Sequence, residues 1–511
     1  MFQLDLIAPV SELLRRQADR HGAKIAYRDG RRGVSYAQLD RRTGSLAGHL
    51  VDSGMQPGDA VAIYLPNSVE WVEACFAIVR AECVAVPISM DCSKPEVGYR
   101  LADSQCRMVI TTSDRLRTIE ALGEEASSVE HVICVDAGPE DAGSFENWAE
   151  TPPTQSPRDP TDIDAAAFLI YTSGTTGQPK GVKLTCRSML WVTAACWAAI
   201  LELDENDTML SPLPLFHSYA LNLTVLSILA TGASVYLMGK YSTTECFELL
   251  QSGEFTVFPG VPTMFHYLME AARTHGTATL PGLRACVTAG AIMPAALNTD
   301  FEALFSVPLL DGYGITETST MVTMNSATGG RVMGSCGLPI PGLAVRIVDP
   351  ATLHDCDPGV EGELIVRGPN VMAGYLNKPE ETAKALRNGW YHTGDLATAD
   401  SNGFITITGR IKELIIRGGQ NIAPAEIERV VLELEDVLDC AVVGLPHDQL
   451  GEVPGLFVIP RAPGFSEGPV LDHCRKHLSS YKVPHTVHVV DAIPRTGSGK
   501  IIRFRLRELV S

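Results

Sequence analysis

The segment Tyr171-Thr-Ser-Gly-Thr-Thr-Gly-Gln-Pro-Lys-Gly181 holds three glycines, four serine or threonine hydroxyls and one lysine. Glycines let a short loop turn several backbone N–H groups inward, and such a nest binds phosphate. The hydroxyls add donors and Lys180 adds a positive charge. The spacing is not the G-x-x-x-x-G-K-[ST] of a Walker loop. On this segment alone a plain flexible loop stays open as the alternative to phosphate binding.

A phosphate nest needs rigid elements to present it. The apolar run Ala166–Tyr171 reads as a strand entering the loop. Upstream and downstream, Ala60–Leu65, Val84–Ile88, Arg107–Thr111, Ser234–Leu237, Thr256–Phe258 and Arg284–Thr288 read as further short strands, with helical patterns such as Ser68–Val79 between several of them. This alternation predicts layered α/β architecture with a largely parallel sheet. After about Gly330, short strands (Leu343–Val348, Gly362–Val366, Phe404–Thr408) separated by Gly, Pro, Asn and Asp predict a β-rich, barrel-like subdomain. From Ile411 helices and strands mix again, which predicts a small α+β domain. The stretch Asp136–Pro160, rich in Pro, Ser, Glu and Asp, reads as a surface excursion. Met189–Leu203, the longest apolar stretch, is too short and too interrupted to span a bilayer and reads as a buried helix.

The chain has 511 residues, or about three units at roughly 150 residues each. A hydrophobic content of 45% with 20% charged residues excludes disorder, collagen and coiled coil as global descriptions. The formal charge, 41 − 60 = −19, argues against nucleic-acid binding and against a polybasic membrane anchor. Residues 411–511 hold 12 basic and 13 acidic groups, so −18 of the −19 falls on the first 410. The thirteen cysteines contain no C-x-x-C, which excludes a zinc knuckle or thioredoxin-type site and predicts reduced, mostly buried thiols. The first twenty residues lack a signal-peptide pattern and Leu-Val-Ser at the end is not a peroxisomal address, so a cytoplasmic location is expected.

Beyond the loop, resemblance carries the reading. Tyr171–Gly181 is similar to the signature of the adenylate-forming superfamily: acyl-CoA synthetases, peptide-synthetase adenylation domains and firefly-type luciferases. Four more segments resemble that family's motifs, in family order: Asp311-Gly-Tyr-Gly-Ile-Thr-Glu-Thr318, Trp390-Tyr-His-Thr-Gly-Asp395, Gly409-Arg-Ile-Lys-Glu-Leu-Ile-Ile-Arg-Gly-Gly-Gln-Asn421 and Pro494-Arg-Thr-Gly-Ser-Gly-Lys500. The resemblance implies an N-terminal AMP-binding domain over 1–409, a hinge at 410–412 and a mobile lid over 413–511. It also implies ATP, Mg²⁺ and a two-step ligation: a carboxylate attacks the α-phosphorus of ATP, then a thiol displaces AMP.

The same resemblance implies the roles. Thr172, Ser173, Gly174, Thr175, Thr176, Gly177 and Lys180 hold phosphates. Thr316 contacts the α-phosphate and Glu317 binds Mg²⁺. Tyr313 stacks on adenine, which Gly290, Ala291, Asp311, Gly312, Gly314 and Ile407 help to enclose. Asp395 takes the ribose hydroxyls and Arg410 adds a contact. Lys500 bridges the carboxylate and α-phosphate, and Lys412 sits at the hinge. Gly418 and Gly419, after rotation, leave room for pantetheine. An anion meeting a polyanion at about 4 Å costs about 4 kcal/mol per like-charge pair at an effective dielectric near 20, which these cations and dipoles must offset.

The segment Pro212–Asn222 is similar to the acyl-pocket gate of fatty acyl-CoA and 4-coumarate-type ligases, with His217 as the gate. Amino-acid-activating relatives place an Asp where this chain has Ser218. No acid occurs between Phe216 and Thr231, and an unpaired ammonium in a buried pocket costs several kcal/mol. The expected acid therefore has an uncharged tail, short or medium aliphatic or aryl. The expected pocket comprises His217, Ser218, Asn222, Val261, Thr288, Ala289, Gly312 and Ile315. Many relatives carry Gly at Ala289, and its methyl narrows the tunnel. Cys186 and Ala291-Ile-Met also depart from the commoner His and A-P-L. The expected acceptor is CoA. The alternative is the phosphopantetheine of a carrier protein, and the basic run Arg495, Lys500, Arg503, Arg505 and Arg507 suits either. A catalytically dead scaffold is disfavoured by the full set of charged residues.

Overall fold

The apolar run before the glycine-rich loop forms the strand Ala166–Thr172, with residues 167–170 buried. It pairs antiparallel with Lys180–Thr185, Thr172 opposite Lys180, and parallel with Val84–Pro87 on its other side. This computed structural model describes residues 2–138, 140–141, 143–172, 178–495 and 501–510, and every count and absence below is of those residues. Ser173, Gly174, Thr175, Thr176, Gly177 and Lys500, all assigned above, lie outside them.

Two large sheets form the N-terminal body. One has seven strands and contains Ala166–Thr172, with Ala60–Tyr64 and Met108–Thr111 near its far edge. The other has nine, with a parallel centre of Leu309–Tyr313, Ala285–Thr288, Val257–Gly260, Thr208–Ser211 and Ser234–Leu237. The expected layered α/β sheets are there, two of them, parallel at their centres and mixed overall, with short antiparallel strands at both edges of the nine-stranded sheet and at one edge of the seven-stranded one. The largest hydrophobic cluster draws on both, through Val61, Ile63, Phe168 and Ile170 on one side and Val235, Val257, Val287 and Leu310 on the other. The helical segments 186–197 and 218–231 supply its middle. The expected helix at Met189–Leu203 is real but shorter: Cys186–Val192 is α-helical and Thr193–Trp197 continues with wider i→i+5 turns.

A smaller sheet of Ala344–Val348, Gly362–Arg367, Trp390–Ala399, Leu386–Arg387 and Ile405–Arg410 is entirely antiparallel. A one-turn helix, Ile411–Glu413, follows it directly. A fourth sheet then begins at Ile415–Arg417, built around the long pair Val437–His447 and Gly451–Pro460 with its own apolar cluster.

The stretch 136–160 is not a loose excursion. It contains the helix Phe145–Glu150, whose Phe145 and Ala149 are buried. Glu146 and Glu150 ion-pair with Arg42, which Glu73 also holds at 2.6 Å. Arg158 donates to the carbonyls of Ala81 and Met55. The stretch stays at the surface, with Glu146 and Glu150 41% and 46% exposed, but its polar groups tie it to the buried Arg42 and to the backbone of the body. The thirteen cysteines are free thiols. No helix is long and apolar enough to cross a membrane.

Candidate active site

Strand pairing alone brings two of the expected residues together. Asp395 lies in Trp390–Ala399 directly opposite Arg410 at the end of Ile405–Arg410. Arg410 Nε donates to Asp395 Oδ1 at 2.7 Å. From the nine-stranded sheet, Tyr313, the last residue of Leu309–Tyr313, donates its phenol to Asp395 Oδ2. Asp395 is 2% exposed. A carboxylate has about four lone-pair sites, so both oxygens are fixed and each still accepts another donor. Burial opposes the charge of Arg410, but Asp395 and Glu413 outweigh it and hold the guanidinium protonated.

These residues line a cleft of about 390 Å³. One wall is Val261, Gly290, Ala291, Asp311, Gly312, Tyr313, Gly314 and Ile315, and the facing wall includes Asp395, Ile407 and Arg410. Two of its glycines are obligatory. Gly290 has φ +87°, which a side chain rarely adopts, and a Cβ at Gly314 would lie 1.4 Å from the Thr320 carbonyl oxygen. Asp311 has no ion-pair partner, and burial pushes its carboxyl well above the usual range.

Of the residues expected to hold the phosphates, Lys180 begins the strand Lys180–Thr185. Lys180 ion-pairs with Glu381 and stands over the Tyr375 ring, 5.0 Å from its centre. Tyr375 Oη donates to Glu317 Oε1 at 3.0 Å. Thr316 Oγ1 and Ser218 Oγ share a hydrogen bond of 3.2 Å, joining the gate segment to this turn. Asn370 holds the turn by donating to the carbonyls of Thr318 and Met321. Glu317 suits Mg²⁺: it is a hard oxygen donor, only partly buried, with one oxygen fixed and no hydrogen bond shown on the other.

The acyl end is different in kind. His217 caps the one-turn helix Ser218–Ala220, its Nδ1 accepting from Tyr219 N at 3.3 Å, so the ring proton of the neutral form sits on Nε2. Val261 and Ala289 share one buried cluster, with Ile315 packed against it. Asn222 and Thr288 stand apart from that wall. Asn222 is fully buried and its amide is spent: Nδ2 donates to Met189 O at 2.8 Å and Oδ1 accepts from Trp197 Nε1 at 2.7 Å. Strand alternation turns Thr288 to the opposite face from Val287 and Ala289, the face where Cys286 packs.

The C-terminal run flanks the same cleft through Arg495, Ile501 and Arg503. Its cations are largely committed within the protein. Arg495 pairs with Asp439 at 2.8 Å, and Arg503 pairs with Glu413 and Glu428. Lys412 is in the turn Ile411–Glu413. Gly418 and Gly419, with φ +57° and +84°, form an exposed turn away from the cleft. Sequence reasoning passed over Tyr375, Tyr391, Glu381 and Asn370. Tyr391 lies inside the motif Trp390–Asp395 and Glu381 inside the charged run Lys378–Lys384, but nothing in the sequence connects either of them, or Tyr375 and Asn370, to the site.

The chain matches the model of the AMP-binding enzyme family over residues 14–376 and that of the AMP-binding enzyme C-terminal domain over 426–500. It is 35% identical to a feruloyl-CoA synthase of Amycolatopsis over 486 residues, 94% of this chain and 95% of that protein. It is 34% identical to an indoleacetate–CoA ligase of Aromatoleum aromaticum over 505 residues, 98% of each. Among solved structures, a benzoate CoA ligase from Burkholderia xenovorans superposes with a TM-score of 0.88 at 27% identity, covering 98% of this chain and 99% of that one. An anthranilate CoA ligase bound to anthranoyl-AMP superposes with a TM-score of 0.90 at 25% identity, covering 98% and 97%. The chain belongs to the AMP-binding enzymes, the adenylate-forming superfamily of acyl-adenylate-forming, CoA-ligase-type proteins.

Proposed function

We propose that this enzyme activates a small carboxylic acid with an uncharged, preferentially aryl tail and transfers the acyl group to CoA. The observation that carries the reading is the acyl wall of Val261, Ala289 and Ile315 in an apolar cluster, facing a segment from Phe216 to Thr231 that holds no acid. An α-ammonium there would have no counter-ion. The relatives named above act, by their names, on ferulate, indoleacetate, anthranilate and benzoate, and this favours an aromatic ring over a long chain.

In the first step a carboxylate oxygen of the acid attacks the α-phosphorus. The acyl–O–P bond forms, the bond to the β-phosphate oxygen breaks, and pyrophosphate leaves. Lys180 and the loop after Thr172 hold the leaving phosphates, Thr316 contacts the α-phosphate, and Lys500 neutralises charge as the anions meet. Asp395, preset by Tyr313 and Arg410, accepts the ribose hydroxyls. Mg²⁺, when bound at Glu317, adds charge neutralisation on phosphate oxygens. In the second step the thiolate sulfur attacks the acyl carbon and AMP leaves, after the segment beyond Lys412 has turned and brought Gly418 and Gly419 to the thiol's path. CoA is favoured over a carrier protein by the relatives named above, which are CoA synthases and CoA ligases by name.

The test is pyrophosphate release across aryl, fatty and amino acids, followed by mass spectrometry of thioester formed with CoA or with a holo-carrier protein. Aryl acids with CoA are the expected pair. Activity confined to amino acids, or transfer confined to the carrier, overturns the reading.

A further inference from the structure

We propose that Tyr375 is a positioning residue that keeps the phosphate-binding lysine and the metal-binding carboxylate apart and aimed at their ligands. The inference rests on the assignment of Lys180 and Glu317 made above. Tyr375 stands on the two-residue strand Gly374–Tyr375, which pairs with Lys180–Thr185 and so fixes the ring beside Lys180. Its N–H donates to Thr382 Oγ1 at 2.9 Å, and the side chain is 8% exposed. The ring carries Lys180 Nζ on its face, and the phenol donates to Glu317 Oε1. Tyr391, on the strand that also carries Asp395, stands next to the Tyr375 phenol.

The physical need is plain. Lys180 and Glu317 carry opposite charges on two sides of one ring. In direct contact they would neutralise each other and serve neither ATP nor Mg²⁺. The aromatic spacer holds the cation on its face beside Glu381, gives the anion its hydroxyl, and leaves one oxygen of Glu317 for the metal.

The test is calorimetric binding of AMP, metal-free ATP and Mg-ATP to the full chain, with Mg²⁺ dependence of pyrophosphate release beside it. AMP lacks the β- and γ-phosphates and serves as the internal control for a folded site. Tyr375→Phe keeps the ring and loses the hydroxyl. It should bind AMP and metal-free ATP as the wild type does, while the gain in ATP affinity on adding Mg²⁺ falls about tenfold. Tyr375→Leu loses the ring as well and should also weaken metal-free ATP by about threefold. If Tyr375→Phe does not fold, Tyr391→Phe removes the phenol next to Tyr375 and should move Mg-ATP in the same direction by about threefold. Unchanged Mg-ATP binding in the variant that folds, or AMP and Mg-ATP weakened in parallel, overturns the proposal. Failure of the wild type to release pyrophosphate with any acid would overturn the proposed function, while the binding measurements would still decide the role of Tyr375.

Discussion

At the nucleotide end of the cleft, three of the assigned charged side chains are held by other polar groups: Asp395 by Tyr313 and Arg410, Glu317 by Tyr375, Lys180 by Glu381. At the acyl end Val261 and Ala289 are packed like any core residue. The nucleotide offers fixed charges and hydroxyls, so its site must be built of side chains few in kind and strict in spacing. The acid's tail offers shape, and shape can be met by any apolar set of the right volume. Substitutions at the first end should therefore abolish chemistry, and at the second end they should change preference or stability.

Lys500→Ala has the largest expected effect, a loss of adenylation by about three orders of magnitude, from the ~4 kcal/mol of one like-charge contact. Conversion of supplied acyl-adenylate to thioester should survive, and an equal fall in both half-reactions would break the division of labour. Asp395→Ala removes two ribose contacts and should lower pyrophosphate release by about a hundredfold. A loss under tenfold would mean that the Tyr313–Asp395–Arg410 set serves the fold rather than the ribose.

Asn222→Leu probes the other end. It leaves Trp197 Nε1–H and the Met189 carbonyl buried without their partner, so it should cost about 2–3 kcal/mol of stability in denaturant unfolding without changing acid preference. A changed preference at unchanged stability would return Asn222 to the pocket wall. Ala289→Gly should move selectivity toward bulkier acids by about tenfold in kcat/KM, the worth of one methyl group.

Asp311→Asn has the smallest effect and the opposite sign. A carboxyl whose folded pKa is raised by burial keeps its proton when the unfolded chain has lost it, so stability falls as pH climbs from the unfolded value near ~4 toward the folded one. The amide should therefore raise the melting temperature at pH 7 and flatten that slope. No gain at pH 7 would show that the carboxylate has a partner in solution.

The strands that position the site were legible in the sequence because each is a short apolar run between turn residues, as at Ala60–Tyr64, Ala285–Thr288 and Ser234–Leu237. The helix Phe145–Glu150 was not legible. Its acids look like a solvated run until Arg42, a hundred residues earlier, is placed beside them. The basic run at the C-terminus misled in the same way, since Asp439, Glu413 and Glu428 take up its arginines from elsewhere in the chain.

Types and local spacing by themselves marked a hydroxyl- and glycine-rich loop with Lys180 as a candidate phosphate nest, while the roles expected of Glu317, Asp395 and Lys500 came from the resemblance of whole motifs to the adenylate-forming family. Only the tertiary structure decided which side chains hold these groups and which face of a strand they share. Those answers depend on pairing register and on contacts between residues as far apart as Lys180 and Tyr375, or Tyr313 and Asp395. A one-residue shift of register turns a side chain such as Thr288 from the cleft to the core, and no local pattern records that choice.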